Sequence, residues 1–122
     1  SLWKTSGHYE HYRDNMYFTE VDDREYAVKP MNCPSHCLMY GEGRHSYRQL
    51  PIRMADFGRL HRYELSGATA GLTRVRTFCQ DDGHIFCTEE QVQEEVGNLT
   101  KMYLETYAVF GLDVRIFLST RP

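Results

Sequence analysis

The sequence predicts an α+β fold, an antiparallel β-sheet with flanking helices, on three observations. Two runs of strand character, Arg53–Glu64 and Arg74–Cys87, flank a glycine-bearing loop at Leu65–Thr73 and read as a long antiparallel hairpin. A second, shorter hairpin is predicted at Met16–Val21 and Arg24–Lys29, joined by Asp22-Asp23. After Thr88, the residues Val92, Val96, Leu99, Tyr103, Tyr107 and Phe110 recur at spacings of three and four, one apolar stripe on a helix that is expected to lie against the sheet as core.

The first fifteen residues read as a helical or irregular segment, with His8 and His11 three apart and able to share a helical face. In KPMNCPSHCLMYGEG, Asn32 is the expected N-cap, Pro34 suits the first turn, and Gly41 with Gly43 are expected to end a helix of about two turns. Cys33 therefore sits near a helix N-terminus, where partial positive charge favours a thiolate. Cys37, one turn on, is expected in the core. Arg44–Leu50 is a polar connection, and Pro51 opens the long hairpin. Thr88 caps the last helix, with Gln91 at the capping-box position, and Gly111 stops it. Val114–Leu118 alternates as a last strand.

At 122 residues the chain is of single-domain size, and such a chain can bury roughly two-thirds of its unfolded surface. It shows neither a run of about eighteen apolar residues nor a signal-peptide pattern, so the default expectation is a soluble, cytoplasmic protein without membrane contact. The net charge of −3 argues against a generic nucleic-acid binder, but it conceals a segregation. Seven arginines (44, 48, 53, 59, 62, 74 and 76) face only Asp56 and Glu64 between Arg44 and Arg76. The stretch from Thr77 to Val96 then holds six acids and no Lys or Arg. A local guanidinium field suits an anionic ligand such as a polyphosphate, because the planar fork matches phosphate oxygens. A solvated charged face is the alternative. The four cysteines, 33, 37, 79 and 87, form no CxxC pair, which disfavours disulfides and leaves buried apolar residues or metal ligands.

Strand side chains alternate between faces. On the second long strand Arg74, Arg76, Phe78, Gln80, Asp82, His84 and Phe86 share one face, a mixture of guanidinium, ring, amide, carboxylate and imidazole that reads as the floor of a binding site. Arg62 and Glu64 share a parity near the end of the first strand. Cys79, His84 and Cys87 are spaced like metal ligands, yet the cysteines point away from the face of His84. Cys33 with His84 is the better pair, but two ligands do not complete a zinc site.

Arg62-Tyr63-Glu64, a variable loop and then Arg74 to Gln80 resemble motif 2 of the class II aminoacyl-tRNA synthetases, within a stretch of about residues 57–87. KPMNCP joined to LPIRMADFG and QDDGHIFC is similar to the threonyl-tRNA synthetase family in its bacterial form, from Leu2 almost to Pro122. The resemblance implies that residues 1–122 are a partial class II catalytic domain, without motifs 1 and 3 and without editing and anticodon-binding domains. It implies threonine–tRNA ligase activity for the parent enzyme, a homodimer acting on ATP, threonine and tRNA(Thr), and a stretch not competent by itself.

The same resemblance implies the site roles. Arg62 and Arg74 are the catalytic phosphate-binding arginines; Glu64 and Phe78 complete the ATP site. Met31, Gln80 and Asp82 bind threonine. Cys33 and His84 hold Zn²⁺, with a third ligand outside this chain, and Mg²⁺ accompanies ATP. His8 is a catalytic candidate for proton handling at the tRNA ribose. Two alternatives stand beside this reading: a non-catalytic zinc or nucleotide-binding module using Cys33, His84 and Cys37 or Cys79, and a related synthetase of the prolyl, seryl or glycyl type.

Overall fold

A computed structural model describes residues 2–120. In chain order the elements are α1 (Leu2–Thr5), α2 (His8–His11), a 3-10 turn at Arg13–Asn15, β1 (Phe18–Val21), β2 (Arg24–Ala27) and α3 (Cys33–Glu42). A 3-10 turn at Tyr47–Gln49, β3 (Ile52–Asp56), β4 (Arg59–His61), β5 (Thr77–Cys79), β6 (Asp82–Phe86) and α4 (Glu89–Val109) follow. The architecture is α+β. Two compact units are distinguishable, one running to Gln49 and including Arg53–His84, the other comprising Leu50–Ile52 and the chain from Ile85 onward.

In the first unit the short hairpin forms as the sequence predicts. Asp22 and Asp23 adopt φ of 51° and 60°, the left-handed pair that a two-residue turn needs, and Val21 pairs directly with Arg24. The long hairpin also forms, but its strands are interrupted. β4 pairs antiparallel with β5, with Arg59 opposite Cys79 and His61 opposite Thr77, whereas β3 is bonded to β6. Phe57-Gly58 breaks the first strand, and Gly58 donates its N–H to Asp56 Oδ1 at 2.6 Å. Lys29 reaches the other oxygen of the same carboxylate at 3.1 Å. The Gly58 amide first and Lys29 second hold the Asp56 carboxyl below its usual range.

The core of this unit is small. Leu60, Asn32 and Pro30 are fully enclosed, and Met16 and His36 are also buried. Leu60 lies in the middle of β4, opposite Phe78. Leu60→Ala is therefore expected to cost about 2–5 kcal/mol, read as a fall in melting temperature. Helix α3 runs ten residues through Gly41, longer than the two turns expected, because Gly41 can continue a helix at modest cost. Asn32 occupies the N-cap position, but its side chain makes no cap bond and turns to Asp82 instead. Cys37 is exposed rather than in the core, as are Cys33 and Cys79. The buried residues of α3 are Pro34 and His36.

In the second unit α4 begins and ends where expected. Gln91 Oε1 accepts the Thr88 N–H at 3.0 Å, closing the capping box, and its amide donates to Leu50 O at 3.0 Å. Gly111 terminates the helix with φ 67°. Two expectations need correction. The apolar stripe is not core: Val92, Val96, Tyr103, Tyr107 and Phe110 are exposed, and Glu95 is the buried residue of α4. Val114–Leu118 forms no strand, since alternation creates a face but only a hydrogen-bonded neighbour creates a ladder. No helix is long and apolar enough to cross a membrane among the described residues.

Candidate functional site

The loop after β4 and the approach to β5 border an open cavity of about 650 Å³, lined in part by Arg62, Glu64, Arg74, Phe78 and Gln80. These are five of the positions singled out from strand parity and motif spacing. Arg62 continues the β4–β5 ladder, its N–H meeting Arg76 O at 2.9 Å. Its Nε donates to Pro30 O at 3.1 Å, and its guanidinium lies 5.0 Å above the Phe78 ring. Both contacts fix the charged group in advance of any ligand. Arg74 binds the Glu64 carboxylate through two nitrogens, each at 3.0 Å. Glu64 is well enclosed while Arg74 is mostly exposed, so the arginine is the more adaptable partner.

Arg76 does not share this site. Residues 74–76 precede the regular strand, so the alternation that grouped Arg74 with Arg76 does not hold there, and Arg76 donates twice to Glu64 O at 3.0 and 2.7 Å. For the same reason Val75 lines the cavity beside Arg74, and Cys79, the last residue of β5, lines it beside Phe78. Gly67 and Gly71 take positive φ in the intervening loop, and the fully exposed Leu72 overhangs the cavity.

Tyr12 and Asn15 also line the cavity, and the sequence did not single them out. Backbone and side chain of Asn15 tie it to Tyr63, the N–H of Tyr63 reaching Asn15 O at 2.9 Å. His8 is not among the lining residues. It sits behind Tyr12, ring edge to ring, with centroids 6.3 Å apart, and its Nδ1 is 2.8 Å from Ser6 Oγ.

Asp82 and His84 lie further along the same strand direction, on β6, and meet the start of α3. Asp82 Oδ2 accepts Asn32 Nδ2 at 2.9 Å, and His84 Nδ1 lies 2.6 Å from His36 Nδ1. Met31 stands between Pro30, whose carbonyl holds Arg62, and Asn32, which holds Asp82. Buried Asn32 Oδ1 and His61 Nδ1 have no partner. Cys33 is exposed as a residue, but partial burial of the thiol, and next the neighbouring Asp82 carboxylate, raise its pKa; Arg62 pulls the other way. The helix N-terminus thus does not yield the expected thiolate by itself.

The sulfur of Cys33 and a ring nitrogen of His84 are donors that suit zinc, and with Nδ1 of His84 engaged its Nε2 is the nitrogen left for a metal. No group of three His, Cys, Asp or Glu able to hold a metal occurs among the described residues, so neither Cys37 nor Cys79 completes a set with Cys33 and His84.

The family model described as tRNA synthetase class II core domain (G, H, P, S and T) matches residues 17–122. The chain belongs to this family. Over 123 residues it is 61% identical to the threonine–tRNA ligase of Bdellovibrio bacteriovorus, covering 100% of this chain and 19% of that protein. It is 55% identical to the cytoplasmic threonine–tRNA ligase 2 of Xenopus tropicalis over 121 residues, 99% of this chain and 15% of that protein. A crystal structure described as the RNA binding domain of threonyl-tRNA synthetase from Cryptosporidium parvum superposes with a TM-score of 0.84 at 58% identity, over 90% of this chain and 28% of that one. This class II core chain therefore spans about a fifth of the length of the bacterial relative it matches.

Proposed function

We propose that this class II core chain carries the ATP- and threonine-binding part of an enzyme that activates threonine and transfers it to tRNA(Thr). The observation that supports this most directly is the convergence of Arg62, Glu64, Arg74, Phe78 and Gln80 on one cavity, with Asp82 and His84 on the strand that continues from it. In the first step a threonine carboxylate oxygen attacks the α-phosphorus of ATP, a P–O bond forms, and pyrophosphate leaves. In the second a terminal ribose hydroxyl of tRNA attacks the acyl carbon and AMP leaves.

The protein's part is positioning and charge stabilisation. Arg62, already braced by Pro30 O and Phe78, holds the α-phosphate where negative charge develops. Phe78 offers a ring face to the base. Glu64 accepts from the adenine amino group once Arg74 turns from it to phosphate, with Mg²⁺ travelling on the nucleotide. Gln80 lies between nucleotide and amino acid. Met31 and Asp82 contact threonine, the carboxylate as a hydrogen-bond acceptor. Cys33 and His84, with a third ligand from outside these residues, would hold zinc, which would supply a Lewis-acid centre for engaging the amino and hydroxyl groups of threonine. His8, whose ring packs edge-on against Tyr12 of the cavity lining, is assigned to proton handling at the tRNA ribose in the second step. A homodimer and a cytoplasmic location accompany this reading.

Amino-acid-dependent ATP–pyrophosphate exchange on the intact protein tests the proposal. Threonine is expected to stimulate exchange and proline, serine and glycine to do so far less. Equal stimulation by one of those three transfers the assignment to a related synthetase, and exchange indifferent to every amino acid leaves a nucleotide-binding module.

A further inference from the structure

Helix α3 and strand β6 are joined by two side-chain contacts whose spacings match. Asn32 and His36 are four residues apart, about 6 Å along a helix, and Asp82 and His84 are two apart, about 7 Å along a strand. One pair closes at 2.9 Å and the other at 2.6 Å, so the helix start lies along the strand in a fixed register. His36 is 3% exposed, a position where an apolar side chain would pack without the need of a polar partner. Its partner is the imidazole of His84. The two rings are inclined at 70° with centroids 4.7 Å apart, so they meet through their nitrogen-bearing edges rather than by stacking.

We propose that His36 is a positioning residue for His84: it accepts the Nδ1–H of that imidazole, fixing the ring and the tautomer that leaves Nε2 as the metal-ligating nitrogen. The inference rests on the zinc reading above. A ligating nitrogen needs a bare lone pair, and Nδ1 of His84 is already engaged by His36. The proton of His84 must then sit on Nδ1, and His36 must present a bare Nδ1 and carry its own proton on Nε2. Metal-bound histidines generally direct their other N–H to such a partner, and its loss typically weakens metal binding about 10–100-fold. One helix thereby serves both halves of the site, because Cys33, its first residue, lies three positions before His36.

The test uses the intact protein with ring-¹⁵N histidine and no metal. NMR is expected to find His84 protonated at Nδ1 and His36 at Nε2; the reverse pattern overturns the proposal. Zinc affinity, measured by competition with a chromophoric chelator, is expected to fall about 10–100-fold in His36→Phe, which keeps a ring but loses the acceptor. His36→Gln, whose amide oxygen can accept the same proton, is expected to stay within a few-fold of the parent. Metal-free melting curves establish that each variant folds, and the NMR result stands on the unmodified chain if one does not. A folded His36→Phe variant with parental zinc affinity overturns the proposal. If zinc affinity is also indifferent to Cys33→Ser and His84→Ala, the zinc reading itself has failed; if it depends on those two and not on His36, only this inference has.

Discussion

Replacement of Arg62 by alanine is expected, on the proposed function, to lower kcat/KM for threonine-dependent ATP–pyrophosphate exchange by about 10²–10³-fold, the loss that follows removal of one preorganised group from developing transition-state charge. The magnitude is argued from how the guanidinium is held. Its Nε is committed to Pro30 O at 3.1 Å and its plane lies over Phe78, so the nitrogens facing the cavity are fixed before ligand arrives. Lysine has a point charge and cannot keep both contacts, so Arg62→Lys is expected to recover only a minor part of the loss. Arg74, with 58% of its side chain exposed and its charge shared with Glu64, is expected to matter less when replaced. Because Pro30 precedes Asn32 and Cys33, the variant must also be shown to retain its fold. A folded Arg62→Ala protein within five-fold of the parent, on the order of 1 kcal/mol, would remove Arg62 from the reaction.

What could be read in advance was what is encoded locally. The Asp22-Asp23 turn, the Thr88 and Gln91 capping box and the Gly111 stop each require residues only a few positions apart, and each is found where expected. The grouping of Arg62, Glu64, Phe78 and Gln80 was legible for a similar reason: it follows from strand parity and motif spacing, and the four side chains line one cavity. Parity failed at Arg76, because the regular strand starts only at Thr77. Burial on α4 was misjudged because a stripe defines a face but not what covers it, and Val96 is 56% exposed. His36 went unnoticed beside Cys33 and Cys37, since its importance depends on which side of α3 meets β6. That choice is made by contacts with Asp82 and His84, about fifty positions away.

The largest effect on amino-acid choice is expected from Cys33→Ser. Threonine and valine have nearly the same shape and differ in a hydroxyl against a methyl, so shape alone discriminates by only about 10², whereas a site that engages the hydroxyl rejects the analogue lacking it by about 10⁴–10⁵. On the proposed reading, serine in place of the cysteine loses the soft donor, and the threonine-to-valine ratio of kcat/KM in exchange falls from about 10⁴ or more towards 10². Asp82→Ala is expected to move the ratio the same way, since it removes the carboxylate that Asn32 holds at 2.9 Å in line with His84. The double variant decides whether these are one device or two. Groups that act on the same hydroxyl are non-additive, so Cys33→Ser with Asp82→Ala should discriminate little worse than either change alone. Independent losses that multiply would instead place Cys33 and Asp82 in separate roles, and a ratio unchanged in all three variants would move threonine selection away from the α3 and β6 junction.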